Sequence, residues 1–156
     1  MDTGRRVGER TGYTLVELML TMALLGVLAA ISIPQFVHFQ ERAEVAQVIV
    51  HLKSISAALE IHGAEHGTLP LFLVDIAPEL AAMTDPWGAP YNYTRVEGAK
   101  KGKLRKDKFL VPINSDYDLW SNGPDGKTVM PLTAKPSRDD IIRASDGSYF
   151  GRAAAF

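Results

Sequence analysis

Gly12-Tyr13-Thr14-Leu15-Val16-Glu17, followed by an apolar run that ends at Val37, decides the reading of this chain. No Asp, Glu, Lys, Arg or His stands between Glu17 and His38. As a helix, residues 18–37 extend roughly 30 Å, about the thickness of a bilayer's hydrocarbon core. One carboxylate therefore stands at the mouth of a membrane-length helix. At mid-bilayer such a group costs about 2.5–3.5 kcal/mol, and less toward the interface. The segment offers no Lys or Arg to offset that cost. Glu17 is either solvated among headgroups or awaits a cation from outside its own helix. Cleavage after Gly12 would create one, a new amine at Tyr13, which an axially shifted neighbouring copy could bring to Glu17.

The flanks fix direction and extent. Residues 1–12 are short and polar and carry Arg5, Arg6 and Arg10 against Asp2 and Glu9, so they are expected to stay in the cytoplasm. Ala29-Ala30 resembles the small-residue site of a conventional cleaved signal. The apolar run continues past it, however, and no mature start follows. Pro34 removes one helical hydrogen bond and crowds the previous turn, so the helix either stops there or continues with a bend. The pattern beyond favours continuation: Val45, Ile49, Leu52, Ile55 and Leu59 recur at three- and four-residue spacing, with charged residues on the other faces. This amphipathic helix is expected to end between Gly63 and Gly67, with Pro70 beyond.

The remaining chain has little apolar material. Hydrophobic residues make up 46% of the 156, but much of that share lies before Ile61, so the rest can bury only a modest core. The net charge of −1 gives no global attraction to nucleic acid. With no cysteine there is no disulfide, zinc-thiolate site or thiol nucleophile. A loop and a short helix are expected over residues 74–83, then an irregular segment through Pro90, whose Trp87 should pack on the helix stripe. Tyr91, Tyr93 and Arg95-Val96 alternate as a strand, and residues 116–121 alternate as its antiparallel partner. The basic run over residues 100–108 falls where a connecting loop is expected and is read as solvated rather than as a nucleic-acid patch. His62-Gly63-Ala64-Glu65-His66 spells a zinc-hydrolase pattern. Glycines bracket it at a helix end, so a solvated terminus is the favoured reading. His38 and His51 are read as isolated surface or interface residues.

The chain thus reads as α+β: a long, kinked N-terminal helix, membrane-spanning and then amphipathic, packed on a small antiparallel β-sheet head with a C-terminal loop region. Its first six quoted residues, short basic leader and apolar run resemble the class III signal of type IV pilins and type II secretion pseudopilins, with Tyr13 where that family usually has Phe. Pro34 falls where the family has its helix-kinking proline. Asp85-Pro86-Trp87-Gly88, Pro90-Tyr91 and residues 117–126 (Tyr-Asp-Leu-Trp-Ser-Asn-Gly-Pro-Asp-Gly) resemble the head of the major pseudopilin.

The resemblance implies four parts: a leader over 1–12, a transmembrane and filament-core helix over 13–37, an amphipathic helix over 38–66, and a periplasmic head over 67–156. It implies cleavage between Gly12 and Tyr13 and N-methylation at Tyr13 by a prepilin peptidase. It also implies assembly through Glu17 and Pro34 into a helical homopolymer, with minor pseudopilins, an inner-membrane assembly platform and membrane lipid as further partners, and no nucleic acid. The expected product is a structural subunit of the inner membrane and periplasm, not an enzyme, and a pilin for adhesion, motility or DNA uptake is the rival. The resemblance finally implies calcium held by Asp125, Asp139 and Asp140, of which only the carboxylates are readable. Those acids could equally mark a turn and a helix start. Residues 127–138 form a longer connection than the family has.

Overall fold

The computed structural model describes residues 12–156. Residues 1–11 of the leader expected over 1–12 lie outside the described residues. Two compact units divide at Gln40 and Glu41. The helix α1 (Leu15–His66) supplies the described part of the first and the opening element of the second.

Pro34 lies inside α1 rather than at its end. Within the first unit every described residue from Gly12 to Gln40 is exposed. Leu20, Leu25, Ile31 and Phe36 are all at least 60% accessible. A helix that is apolar all round needs lipid or protein to cover it, and its own unit covers none of it. By length and hydropathy this helix is a candidate membrane span.

In the second unit α1 becomes one-sided. Val48, Leu52, Ile55 and Leu59 are wholly buried, while Val50 and Ile61 stay exposed. Each such aliphatic side chain contributes about 1.5–3 kcal/mol by leaving water. Gly63 is accommodated within the last turn, and Gly67, at φ 72°, ends the helix in the left-handed region that glycine adopts without strain. A 3-10 turn, Leu73–Asp75, and the short helix α2 (Pro78–Ala81) follow, with Pro78 at the first helical position. The loop and short helix expected over 74–83 thus take the form of a 3-10 turn and a four-residue helix.

Four antiparallel strands form a meander in chain order: β1 (Asn92–Arg95), β2 (Tyr117–Ser121), β3 (Ile141–Ala144) and β4 (Tyr149–Arg152). The expected pairing of the first two holds, with Tyr93 opposite Leu119 and Arg95 opposite Tyr117. Strand alternation sends Tyr117, Leu119 and Ile141 to the α1 stripe, and sends Trp120, Ile142 and Ala144 to a second cluster with Ile113, Leu132 and Ala153. The sheet therefore has two buried faces, one covered by the helix and the other by loops. Beyond β4 the tail contributes the buried Ala153. Asp146-Gly147 forms the turn that joins β3 to β4, with Asp146 at φ 52°.

Candidate functional site

At the amino end, Gly12, Tyr13 and Thr14 precede the helix and are exposed, leaving the Gly12–Tyr13 bond accessible. Thr14 and Glu17 then close a reciprocal cap. The Thr14 amide donates to Glu17 Oε2 at 2.8 Å, and the Glu17 amide donates to Thr14 Oγ1 at 3.2 Å. The Thr14 hydroxyl donates to the same carboxylate oxygen at 3.0 Å. This is the T-x-x-E capping box, which satisfies amides that the first turn leaves without partners. Glu17 thus has a local partner in the single chain, a role the sequence reading missed although the spacing carries its signature.

In the head, the two motifs that carried the resemblance are joined to each other. Asp85 is buried; its Oδ1 accepts the Trp87 and Ala89 amides at 3.1 and 2.8 Å, and its Oδ2 accepts the Ser121 hydroxyl at 2.6 Å. Ser121 Oγ in turn accepts the Gly123 amide at 3.1 Å. Trp87 packs against the α1 stripe, as expected, and its indole donates to Glu44 at 3.1 Å. Asn122 takes hydrogen bonds from Asn92 and the Trp120 indole, each at 3.0 Å. One buried carboxylate therefore fixes the Asp-Pro-Trp-Gly turn to the end of β2.

The three acids read as calcium ligands are distributed differently. Asp125 is exposed, and its Oδ1 accepts the Lys127 amide at 2.7 Å. Asp139 Oδ2 accepts the Asp125 amide at 3.3 Å. Asp140 is wholly buried, and its Oδ2 takes both the Arg105 guanidinium and, at 2.7 Å, the Thr128 hydroxyl. Burial pushes the Asp140 carboxyl up to about 6, with Thr128 and Arg105 pulling the other way. Among the described residues, no three acid, His or Cys side chains converge as a metal-binding group. Asp139 and Asp140 precede β3 directly; they do not begin a helix.

Arg105 lies in the run expected to be solvated, yet it is 1% accessible. Lys100, Lys101, Lys103 and Lys108 are exposed, as that reading requires. The sequence signal for the exception is Leu104, also buried, which interrupts the basic run. The Arg105 guanidinium donates to Thr128 Oγ1 and to the Val129 carbonyl as well as to Asp140, and lies 5.2 Å from the Trp120 ring centre. Its backbone amide donates to Asp118 at 2.7 Å, and Asn114 donates to the other Asp118 oxygen at 2.9 Å. A second arginine, Arg143, forks onto Asp116 with bonds of 2.8 and 2.6 Å and lies over the Tyr117 ring.

His62 and His66 stack with ring centres 4.2 Å apart, and each Nδ1 donates to a backbone carbonyl. They line an open pocket with Glu65 and Asp75, but among the described residues no three of these side chains converge as a metal-binding group. His51 is not isolated: it is half-buried and bonds the Tyr91 hydroxyl at 2.8 Å.

Comparison with known proteins agrees with this layout. Residues 9–33 match the prokaryotic N-terminal methylation motif. Type II secretion system core protein G of Pseudomonas aeruginosa is 27% identical over 139 residues, covering 76% of this chain and 87% of the relative. The Klebsiella pneumoniae protein of the same description is 28% identical, covering 85% and 93%. A type IV major pilin protein of Neisseria gonorrhoeae is 34% identical over 145 residues, covering 87% and 85%. No solved structure matches the chain. With an apolar helix opened by the methylation motif, a meander head on its second half and this identity over most of both chains, the chain belongs to the family of type IV pilins and type II secretion pseudopilins.

Proposed function

We propose that this chain is the major structural subunit of a type II secretion pseudopilus. The observation that carries the reading is the exposed apolar helix, opened by the methylation motif and continued into a head whose core it completes. The precursor is held in the inner membrane as a single-pass protein, amino end in the cytoplasm and head in the periplasm. Prepilin peptidase cuts between Gly12 and Tyr13 and methylates the Tyr13 amine. Burial of the apolar helices against one another then drives polymerisation into a helical filament, with Glu17 meeting a neighbour's Tyr13 amine. The filament acts with minor pseudopilins and the inner-membrane platform to drive folded proteins across the outer membrane. The subunit catalyses nothing itself.

The test is complementation of a strain whose own core protein G gene is deleted. Secretion should return, and the mature protein should begin at methylated Tyr13. The 34% identity to a Neisseria pilin favours a second reading, a pilus subunit. Surface pili without restored secretion would select it and overturn the first.

A further inference from the structure

The resemblance assigns the head a calcium ion, but the oxygens that converge with Asp140 Oδ2 are already bonded by an arginine. Calcium seeks a shell of hard oxygens from carboxylates, carbonyls and hydroxyl or water groups. Beside Asp140 such a set exists: Asp140 Oδ2, the Val129 carbonyl and Thr128 Oγ1. All three are hydrogen-bonded by the guanidinium of Arg105. Arg105 is buried with Asp140, held from behind by its amide bond to Asp118 and flanked by the Trp120 ring. The remaining two acids of the expected triad, Asp125 and Asp139, bond backbone amides of the 125–127 turn instead.

We propose that in this head the Arg105 guanidinium is a built-in cation that replaces calcium, fastening the 128–129 segment to the start of β3, so that the head is stable without a divalent ion. A guanidinium suits the place because its planar fork offers several fixed donors and it keeps its charge when buried. Loop closure then depends on a covalent part of the chain rather than on the calcium supply of the compartment.

The measurement is the thermal melt of the full chain in detergent micelles, followed by near-ultraviolet ellipticity, in EDTA and in millimolar calcium chloride. The two midpoints should agree within about 1 °C. A resident calcium ion at a hundred times its Kd would instead raise the midpoint by roughly 10 °C, and such a rise overturns the proposal. Asp125→Asn is an exposed change that keeps a side-chain oxygen for the Lys127 amide. It should melt like the parent in both buffers, and a loss confined to calcium buffer would identify Asp125 as a ligand and refute the inference. Arg105→Gln should lower the midpoint equally in EDTA and in calcium. A parent-like midpoint for that variant would count against the proposal. None of these readouts depends on secretion, so they stand or fall separately from the filament assignment.

Discussion

Glu17 has two partners to choose between, and the choice can be measured. In the single chain it belongs to the capping box with Thr14, through contacts of 2.8, 3.0 and 3.2 Å. In the proposed filament it meets a neighbour's Tyr13 amine. Glu17→Gln retains the length and an acceptor oxygen, so the cap loses only a small part of its worth, but the charge is gone. The neighbour's amine is then left unpaired beside an apolar layer. By the insertion scale for charged groups this costs up to about 2.5–3.5 kcal/mol and less near the interface, as much as a hundredfold or more in subunit association. Thr14→Ala does the reverse. It removes the hydroxyl, costs about 1 kcal/mol of capping, and keeps the carboxylate. The assay is the amount of filament sheared from cells, normalised to membrane-held subunit, with the mature mass confirming cleavage in each variant. Glu17→Gln and Glu17→Ala should both be nearly devoid of filaments, while Thr14→Ala should assemble. If Glu17→Gln assembles like the parent and Thr14→Ala fails, Glu17 is a cap and the charge-pair reasoning is wrong.

Three further outcomes concern the head and are read from melts of the full chain in micelles. Gly123→Ala should destabilise by about 2 kcal/mol or more, because Gly123 sits at φ 68° and a Cβ there would lie 2.5 Å from the Asp139 carbonyl oxygen; an unchanged midpoint would rule out that turn geometry. Asp85→Ala removes the acceptor of the Trp87 and Ala89 amides and of the Ser121 hydroxyl. It should cost about 3 kcal/mol, since each stranded buried donor costs about 1–3 kcal/mol, and Asp85→Asn should recover part of that. Asp146 has its carboxyl held below the usual range by the Ser115 amide and hydroxyl, at 2.7 and 2.8 Å. A depressed folded-state value stabilises the fold above the unfolded carboxyl's pKa and is lost as pH falls through the folded one. The parent should therefore lose stability below about pH 4 more steeply than Asp146→Asn, and parallel acid limbs would contradict the assignment.

How much of this was legible follows from where the determining interaction lies along the chain. α1 is legible because its signals are local and repeated: the apolar run, the heptad-like stripe from Val45 to Leu59, and glycines at its end. β1 and β2 are legible through alternating tyrosines and the Asp-Leu-Trp run. β3 is not, because Ile141-Ile142-Arg143-Ala144 is buried on both faces and so loses the polar alternation that marks a half-exposed strand. β4 carries Gly151 and follows a turn of small polar residues, which hides a four-residue strand. Arg105 is the instructive error. A basic run is a reasonable sign of solvent, but one member of it pairs with Asp140, 35 positions away, and no local pattern encodes that.

The same uneven apolar supply accounts for the character of the sheet's outer layer. The chain places its longest apolar run in a helix that its own unit leaves exposed, which leaves little apolar material for a second helix over Trp120, Ile142 and Ala144. Loops cover them instead, carrying Ile113 and Leu132. A loop laid over a core brings backbone amides and carbonyls that require partners. Side chains buried beside them supply those partners: Ser137 Oγ both accepts the Val129 amide and donates to the Val129 carbonyl, at 2.9 and 2.7 Å, and Arg105 donates to that same carbonyl. A buried guanidinium then demands a buried carboxylate, because leaving either charge alone costs about 3–5 kcal/mol. Asp140 answers Arg105 as a buried partner, and the half-buried Asp116 answers Arg143. The buried charge of this head thus follows from giving the apolar residues to the filament helix: a loop-built layer over a sheet must be held by polar groups, and those groups must be paired.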